Sequence, residues 1–259
     1  MMDTFPFVAC DPLIGQTRMN PEDQPPSQVE DLLSEMRRLH ITKAIVRHRA
    51  CVESAPYFGN QVLMDEVKDH PELIPCWILT PDGDAPEFNI KKTVSQMLKA
   101  GVKIAWISPE EHIYSPKVWC SGNMYAVLQE YRIPLMVDYN RLHADDIHHV
   151  CSAFPRLRLI LLNIPRVGRN RMLYPLLEKH DHLYLCFNPL FSVHDGYLDL
   201  YRNFGSKRWL FGIGYPQAEG GAGIAGLMYS GLPEDTIRAV AYENIERLLN
   251  KAGQRGDTK

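Results

Sequence analysis

The side chains best suited to chemistry in this sequence are polar residues that directly follow short apolar runs. Asp138, Asn163 and Asn188 each come after such a run, and each run is typical of a buried strand. Polar groups at the carboxyl ends of parallel strands meet at one edge of a sheet. Similar positions, or loops beside them, hold the other candidates: Asp11, Arg47, His48, His112 and Asn140.

Asp138 is the predicted general acid or base. An apolar run followed by a carboxylate directs that group toward the open end of a barrel, where burial raises a carboxyl pKa toward the working range of a base. Two alternatives stay open from the sequence: Asp138 caps the loop that follows, or it pairs with Arg47.

Arg47 and His48 are predicted to bind substrate and to move protons, respectively. A guanidinium offers two parallel donors to a carboxylate, and an imidazole titrates near neutral pH. Side chains alternate along a strand, so at most one of the two faces the same end without a local bend. A structural role, pairing with Glu53 or Asp11, is the alternative.

The remaining candidates are assigned to substrate binding. Amide side chains do not titrate, so they orient a ligand rather than transfer its protons. His112 lies beside Glu110 and Glu111 in a loop, and a solvated loop histidine is its alternative interpretation. The predicted binding residues are Asp11, Arg47, Asn140, Asn163, Asn188 and His112.

The elements that position these side chains form a repeated pattern. Eight β-rich apolar runs begin near residues 5, 44, 73, 102, 135, 159, 183 and 209, and stretches with helical spacing separate them. Eight βα units in about 250 residues are typical of a (β/α)8 barrel, the TIM barrel. We therefore predict one α/β domain over residues 1–259, with about ten C-terminal residues as a disordered tail.

Several local patterns add detail to this scheme. Ser27 and Glu30 have the spacing of a capping box before a helix, and a last helix is predicted to begin at Pro233 and close the domain. Residues 16–27 form a long loop at the first strand's end. The glycines at 220, 221 and 223 are predicted to form a flexible loop, with a phosphate site as the less favoured interpretation.

Composition limits the classes of partner. The net charge of −3 and the absence of a long Lys/Arg run give no electrostatic footprint for nucleic acid or an anionic membrane. No signal peptide and no apolar run of membrane-spanning length is evident, so we expect a cytoplasmic protein with reduced cysteines. The expected partner is a small molecule, and a homo-oligomer is compatible with the sequence.

A series of phrases in a fixed order resembles the amidohydrolase-2 family, the amidohydrolase-related TIM-barrel hydrolases and decarboxylases. The resemblance covers residues 5 to 250, and its phrases lie at residues 31–36 with 44–46, 59–60, 70–77, 174–178, 210–216 and 243–249. It implies a divalent metal held by an H-x-H pair ending strand 1, histidines ending strands 5 and 6, and an aspartate ending strand 8.

This sequence departs from the implied ligand set at every one of those places. Asp11 and Leu13 stand at the H-x-H positions, Asp138 and Asn163 follow strands 5 and 6, and Gly214 occupies the aspartate position. We therefore predict no metal site and no cofactor. A divalent cation on oxygen ligands is the less favoured alternative, since such ligands suit Mg²⁺ or Mn²⁺; its ligands would be Asp11, Asp138, Asn140 and Asn163.

Two functions from different classes follow. The first is a hydrolase or decarboxylase of a small, anionic molecule that works without a histidine-bound metal, with Asp138 and His48 as catalytic residues. The alternative is a non-catalytic relative, a pseudoenzyme that binds a metabolite or serves as a scaffold. Whether the chain is an enzyme stays open at this point.

Overall fold

Strands and helices alternate through the part of the chain that the computed structural model describes, residues 6–16, 27–83, 89–164, 171–189 and 196–256. The strands are β1 (Phe7–Ala9), β2 (Leu13–Ile14), β3 (Ile41–His48), β4 (Leu73–Pro75), β5 (Trp77–Ile78), β6 (Ala105–Trp106), β7 (Leu135–Asp138), β8 (Leu159–Leu162), β9 (Leu183–Phe187) and β10 (Trp209–Phe211).

The helices follow the strands in turn. They are α1 (Val29–Arg38), α2 (Ala50–Glu53), α3 (Pro56–Val67), α4 (Ile90–Lys99), α5 (Val118–Glu130), α6 (Ala144–Ala153), α7 (Leu173–Lys179), α8 (Gly196–Phe204), α9 (Gly220–Met228), α10 (Glu234–Arg238) and α11 (Asn244–Lys251). A 3-10 turn (Tyr139–Arg141) follows β7, and a π-helical turn (Ala239–Glu243) joins α10 to α11. None of these described helices combines the length and apolar character needed to cross a membrane.

All strand pairs are parallel. β10, β9, β8, β7, β6 and β5 form one continuous sheet, while β3 pairs with β1, β2 and β4. Cys76 lies between β4 and β5, and its N–H donates to the Val46 carbonyl at 2.9 Å, so β4 and β5 act as one barrel strand. The Cys10 N–H donates to the Phe211 carbonyl at 2.9 Å and links the first strand to the last. The predicted (β/α)8 architecture is confirmed.

Most strand starts match the prediction, and two differ for identifiable reasons. The strands at 73, 135, 159, 183 and 209 begin where expected. β3 begins at Ile41 rather than 44, because the backbone pairs with β1 although Thr42 and Lys43 are exposed. β6 begins at Ala105 rather than 102, because the Val102 N–H is still bonded to the carbonyl of Met97 in α4. Residue 5 lies outside the described residues.

The buried apolar side chains form two clusters, one on each side of the barrel sheet. One lies between strands and helices, and the other fills the barrel interior. Ile245, Leu248 and Leu249 of α11 belong to the interior cluster, so the last helix closes one end of the barrel as predicted. The interior side chains from the strands and from residues next to them are Val8, Cys10, Ile45, Cys76, Ile78, Ile104, Trp106, Met136, Ile160, Leu162, Tyr184, Cys186 and Leu210.

Local details correct two of the sequence predictions and leave a third untested. The capping box before α1 is one residue later than predicted: the Gln28 N–H donates to Asp31 at 3.0 Å, while Ser27 bonds the Gly15 carbonyl. The glycine segment at 220–223 is not a loop but the start of α9, capped by the Glu219 carboxylate on the Ala222 N–H. The loop predicted over residues 16–27 lies mostly outside the described residues.

The C-terminal segment, predicted to be a disordered tail of about ten residues, is bonded to the barrel as far as residue 256. The N–H of Gly253 donates to the Tyr131 carbonyl at 2.8 Å, and that of Gly256 to the Glu130 carbonyl at 2.9 Å. Residues through 256 therefore lie against the end of α5; the last three residues are outside the described part.

Candidate functional site

Polar side chains replace the apolar interior at the carboxyl end of the barrel. Arg47 lies two residues beyond the interior residue Ile45, Asp138 two beyond Met136, and Asn188 two beyond Cys186. Because side chains alternate along a strand, each of these polar groups continues an inward-facing row. The strand pattern alone thus directs three of the predicted site residues to one place.

Five of the predicted residues form one hydrogen-bonded chain across the barrel mouth. Arg47 Nη1 lies 3.3 Å from Asp138 Oδ2, and Asn163 Nδ2 donates to Asp138 Oδ1. Asn188 Nδ2 lies 3.0 Å from both Asn163 Oδ1 and Asp11 Oδ2. We call these five residues the mouth network. The alternative that Asp138 pairs with Arg47 is thereby confirmed, and the pair belongs to a larger arrangement.

Asp11 is the buried anchor of the mouth network. Its Oδ1 accepts the N–H of Ile213 at 2.7 Å, and its Oδ2 accepts the N–H of Gly214 at 2.9 Å as well as the Asn188 amide. Burial raises the pKa of Asp11, while these three N–H groups and Arg47 oppose that rise. Three donors directed at both oxygens match the ionised form. The structure thus gives Asp11 a positioning role, since both its oxygens serve the protein.

A backbone turn at Gly214 brings the end of the last strand to Asp11. Gly214 has φ of 68°, a left-handed conformation that glycine adopts without a steric penalty. This turn presents the N–H of Gly214 to the carboxylate, at the position where the family resemblance implies an aspartate. Where the resemblance implies a metal ligand at the end of strand 8, this chain has a backbone N–H that bonds the Asp11 carboxylate at the end of strand 1.

Asn163 reaches the network through an unusual backbone conformation. Ile160 and Leu162 of β8 face the interior, so alternation would direct Asn163 outward. Its φ of 51° turns the chain and brings the amide to Asp138 and Asn188. Asparagine is one of the few residues that adopts this region readily.

Arg47 is the cation of the site and is nearly fully buried, with 4% of its surface exposed. Its Nη2 donates to the Asp11 carbonyl at 2.9 Å, and its Cζ lies 5.2 Å from the ring centroid of Trp106. Trp106 is an interior residue of β6 that the sequence analysis did not single out. Its signal in the sequence is weak, because a tryptophan within an apolar run is typical of an ordinary core residue.

His48 lies on the opposite side of β3 from Arg47, as strand alternation predicts. Its Nδ1 accepts the Ala50 N–H at 3.0 Å, and its Nε2 lies 3.2 Å from Glu66 Oε2 without good hydrogen-bond alignment. Of the structural pairings predicted for Arg47 or His48, the one with Asp11 is made by Arg47 through the Asp11 carbonyl, while His48 contacts α3. The structure therefore places His48 outside the mouth network, and we assign it no catalytic role.

His112 and Asn140 also lie apart from the network. His112 Nε2 lies 2.9 Å from the Cys51 carbonyl, a contact that ties the loop after β6 to α2. The neighbouring acids Glu110 and Glu111 both pair with Arg141. Asn140 is exposed in the 3-10 turn after β7. Neither side chain touches the five residues of the mouth network in the described part of the chain.

Three histidines that are buried or partly buried are expected to make the stability of this protein pH-dependent. Burial lowers the pKa of His112, His180 and His182 below the ordinary value of 6.5. In that range the unfolded chain binds more protons than the folded protein, so the free energy of unfolding decreases as the pH falls below about 6.5. We expect urea unfolding to show lower stability at pH 5.5 than at pH 7.5.

The contribution of one histidine is isolated by a variant. His182→Gln removes one titrating group at the closed end of the barrel, away from the mouth network, and is expected to reduce the difference between the two pH values. An unchanged difference would show that His182 titrates alike in the folded and unfolded states.

Comparison with known proteins agrees with the fold and the family. The chain matches the amidohydrolase family over residues 10–251 and belongs to that family. No curated protein matches the chain significantly. The inference that the sequence phrases identify this family is confirmed.

Three solved structures illustrate the similarity. An uncharacterised TIM-barrel protein from Bordetella bronchiseptica is 18% identical, with a TM-score of 0.68 over 88% of this chain and 84% of that one. A candidate 2-pyrone-4,6-dicarboxylic acid hydrolase from Pseudomonas putida is 13% identical, with a TM-score of 0.71 over 96% and 98%. A dihydroxybenzoic acid decarboxylase from Polaromonas, with bound manganese, is 12% identical, with a TM-score of 0.70 over 95% and 97%. At these identities the likeness establishes the fold.

The residues at the mouth do not fit the metal that the family implies. Within the described ranges, no three His, Cys, Asp or Glu side chains lie close enough to hold an ion. Each oxygen that remains already accepts at least one donor inside the network: Asp11 accepts three N–H groups, Asn163 Oδ1 accepts from Asn188, and Asp138 binds Arg47 and Asn163. An ion bound by these oxygens would have to replace N–H donors that the protein itself directs at them.

Proposed function

We propose that this protein is a hydrolase of a small, anionic ester, lactone or amide, and that it uses Asp138 as general base without a histidine-bound metal. The whole chain serves as one catalytic domain. The observation that carries the proposal is the position of Asp138. It is the carboxylate of the mouth network that reaches solvent, with 20% of its side chain exposed, whereas Asp11 is 2% exposed.

The contacts of Asp138 orient its carboxylate without occupying all of its hydrogen-bond acceptor positions. A carboxylate offers about four acceptor positions. Arg47 and Asn163 occupy one on each oxygen. The remaining positions are available to a water molecule from the open end of the barrel. Asp138 accepts the water proton as the oxygen bonds to the substrate carbonyl, and then returns the proton to the leaving oxygen or nitrogen.

Positive charge near β3 favours an anionic substrate. Arg47 is the penultimate residue of this strand, and Arg49 follows the strand's last residue as the N-cap residue of α2. Arg49 Nε and Nη2 are buried and have no acceptor among the described residues. A guanidinium in that state is suited to bind a carboxylate with two parallel hydrogen bonds. Arg49 is therefore the proposed anchor for the substrate's charge.

The same geometry favours hydrolysis over decarboxylation. Protonating a carbon atom to release CO₂ requires a group that carries a proton to donate. Asp138 lies between the guanidinium of Arg47 and the amide of Asn163, and both donate to it. These two donors match the acceptor-only, ionised form of a carboxylate, which begins the reaction without a proton to deliver to a carbon atom.

Comparison of Asp138→Asn with the wild-type protein tests this function. We expect wild-type protein, freed of metal by chelation, to hydrolyse at least one member of a panel of carboxylate-bearing esters, lactones and amides. The variant should lose about 10²–10⁴-fold in kcat, the usual contribution of a general base. Asp65→Asn, on the exposed face of α3, is the matched control and should retain full activity.

Each contrary result has a definite meaning. Equal kcat in the wild type and in Asp138→Asn removes Asp138 from the mechanism. Thermal stabilisation by panel members without any turnover supports the non-catalytic relative instead. Activity that disappears with the chelator and returns with a divalent cation contradicts the metal-independent mechanism.

A further inference from the structure

Two buried N–H groups at the mouth have no acceptor among the residues that the structure describes. They are Nε of Arg47 and Nε1 of Trp106, and both side chains are buried, at 4% and 3% exposure. Arginine and tryptophan side chains are donors only, so neither nitrogen has an alternative role as acceptor. Buried donors in folded proteins are nearly always paired, and an exception calls for a specific explanation.

The two side chains that carry these groups lie close to each other, and Arg47 also contacts the proposed base. The guanidinium carbon of Arg47 is 5.2 Å from the ring centroid of Trp106, and Nη1 of the same guanidinium is 3.3 Å from Asp138. Trp106 pairs with Met136 on the adjacent strand, two residues before Asp138. Arg47 therefore links the base to the indole ring.

We propose that the N–H groups of Arg47 Nε and Trp106 Nε1 bind the carbonyl oxygen of the substrate and stabilise the oxyanion that forms on it. This inference rests on the proposed hydrolysis and assigns a catalytic role to Trp106. Paired donors directed at a developing charge are a recurrent means of accelerating acyl transfer. Here the two N–H groups would polarise the substrate carbonyl, a role that the family resemblance gives to a bound metal.

The steps balance in atoms and in charge. Asp138 takes a proton from water, the water oxygen bonds to the carbonyl carbon, and the carbonyl electron pair moves to the oxygen. The oxyanion then collapses, the bond to the leaving group breaks, and that group takes the proton from Asp138. One negative charge moves from Asp138 to the oxyanion and back, so the buried charge around Arg47 stays constant. That constancy limits the electrostatic cost of the step in a water-poor site.

The test compares two tryptophan-to-phenylalanine variants on a panel substrate that the wild type hydrolyses. Trp106→Phe keeps an aromatic ring for Arg47 but removes the N–H. We expect kcat to fall by about 10²–10³-fold, as for loss of one oxyanion donor, with KM within about threefold. Trp77→Phe is the matched control: its Nε1 is also buried without an acceptor, but Trp77 borders a cavity between α3 and α4. It should leave kcat unchanged.

A second measurement uses the wild-type protein and does not depend on a folded variant. A phosphonate analogue of the same substrate carries a tetrahedral anionic oxygen. Its addition should shift the ¹H–¹⁵N resonances of Trp106 Nε1–H and Arg47 Nε–H, and leave that of Trp77 in place.

The outcomes separate this inference from the proposed function. Wild-type turnover with an unaffected Trp106→Phe, or a variant changed only in KM, overturns the oxyanion role and leaves the function standing. Bound phosphonate without a shift of the Trp106 resonance does the same. A wild type that hydrolyses nothing overturns both.

Discussion

Replacing Asp11 with alanine is expected to lower the free energy of unfolding by about 3–5 kcal/mol, because three buried N–H donors lose their acceptor and each such loss costs about 1–3 kcal/mol. The carboxylate accepts the N–H groups of Ile213 and Gly214 and the amide of Asn188. Alanine leaves all three donors buried without an acceptor, and each such loss is costly. It also removes a negative charge close to the buried Arg47.

Urea or thermal unfolding monitored by circular dichroism measures this effect. Asp65→Ala on α3 is the control for loss of an exposed carboxylate and should change stability by no more than about 0.5 kcal/mol. A loss below about 1 kcal/mol in Asp11→Ala would mean that the three N–H groups find other partners, so that Asp11 does not anchor the strand ends. The variant should also lose hydrolytic activity, since Asn188 and Asn163 connect Asp11 to Asp138.

Gly212→Ala is the second substitution with a large expected effect. A Cβ at this position would lie 2.7 Å from both Cγ and Oδ2 of Asp11 and 2.8 Å from Sγ of Cys186. Neither neighbour can move aside easily, because Asp11 is held by three hydrogen bonds and Cys186 is buried in the barrel interior. Overpacking of this kind costs about 1–3 kcal/mol and occasionally more.

Gly226→Ala is the natural control because a Cβ there meets nothing within 4 Å. Gly226 lies within α9, where alanine is favoured over glycine by about 1 kcal/mol, so the control should be neutral or more stable. The two glycine variants are therefore expected to change the unfolding midpoint in opposite directions. If Gly212→Ala unfolds like the wild type with full activity, the close packing between β10 and Asp11 is not a constraint on the site.

The fold was largely predictable because its signals are local. Apolar runs such as residues 159–162 and 183–187 mark buried strands by composition alone, and the stripe at Val29, Leu32, Leu33 and Met36 marks α1 by period. The opposite orientations of Arg47 and His48 follow from the same kind of rule. Strand boundaries were less predictable, because the start of β3 depends on pairing with β1 rather than on the composition of the strand.

The candidate site was only partly predictable because its contacts join distant parts of the chain. The sequence supplied Asp11, Arg47, Asp138, Asn163 and Asn188 as candidates, and the structure joins all five. It did not reveal that the backbone of residues 213 and 214 completes the coordination of Asp11. Trp106 was missed because a tryptophan within an apolar run is typical of a core residue. Only the position of the Arg47 guanidinium over its ring connects it to the site.

By itself, the sequence determined the order of strands and helices, the family, and the replacement of histidines at the expected ligand positions. These properties depend on residue type and on spacing within short segments. The tertiary structure alone decided which polar groups meet. Hydrogen bonds act over about 3 Å, and only the closure of the barrel brings residues as far apart in the chain as Asp11 and Gly214 to that distance.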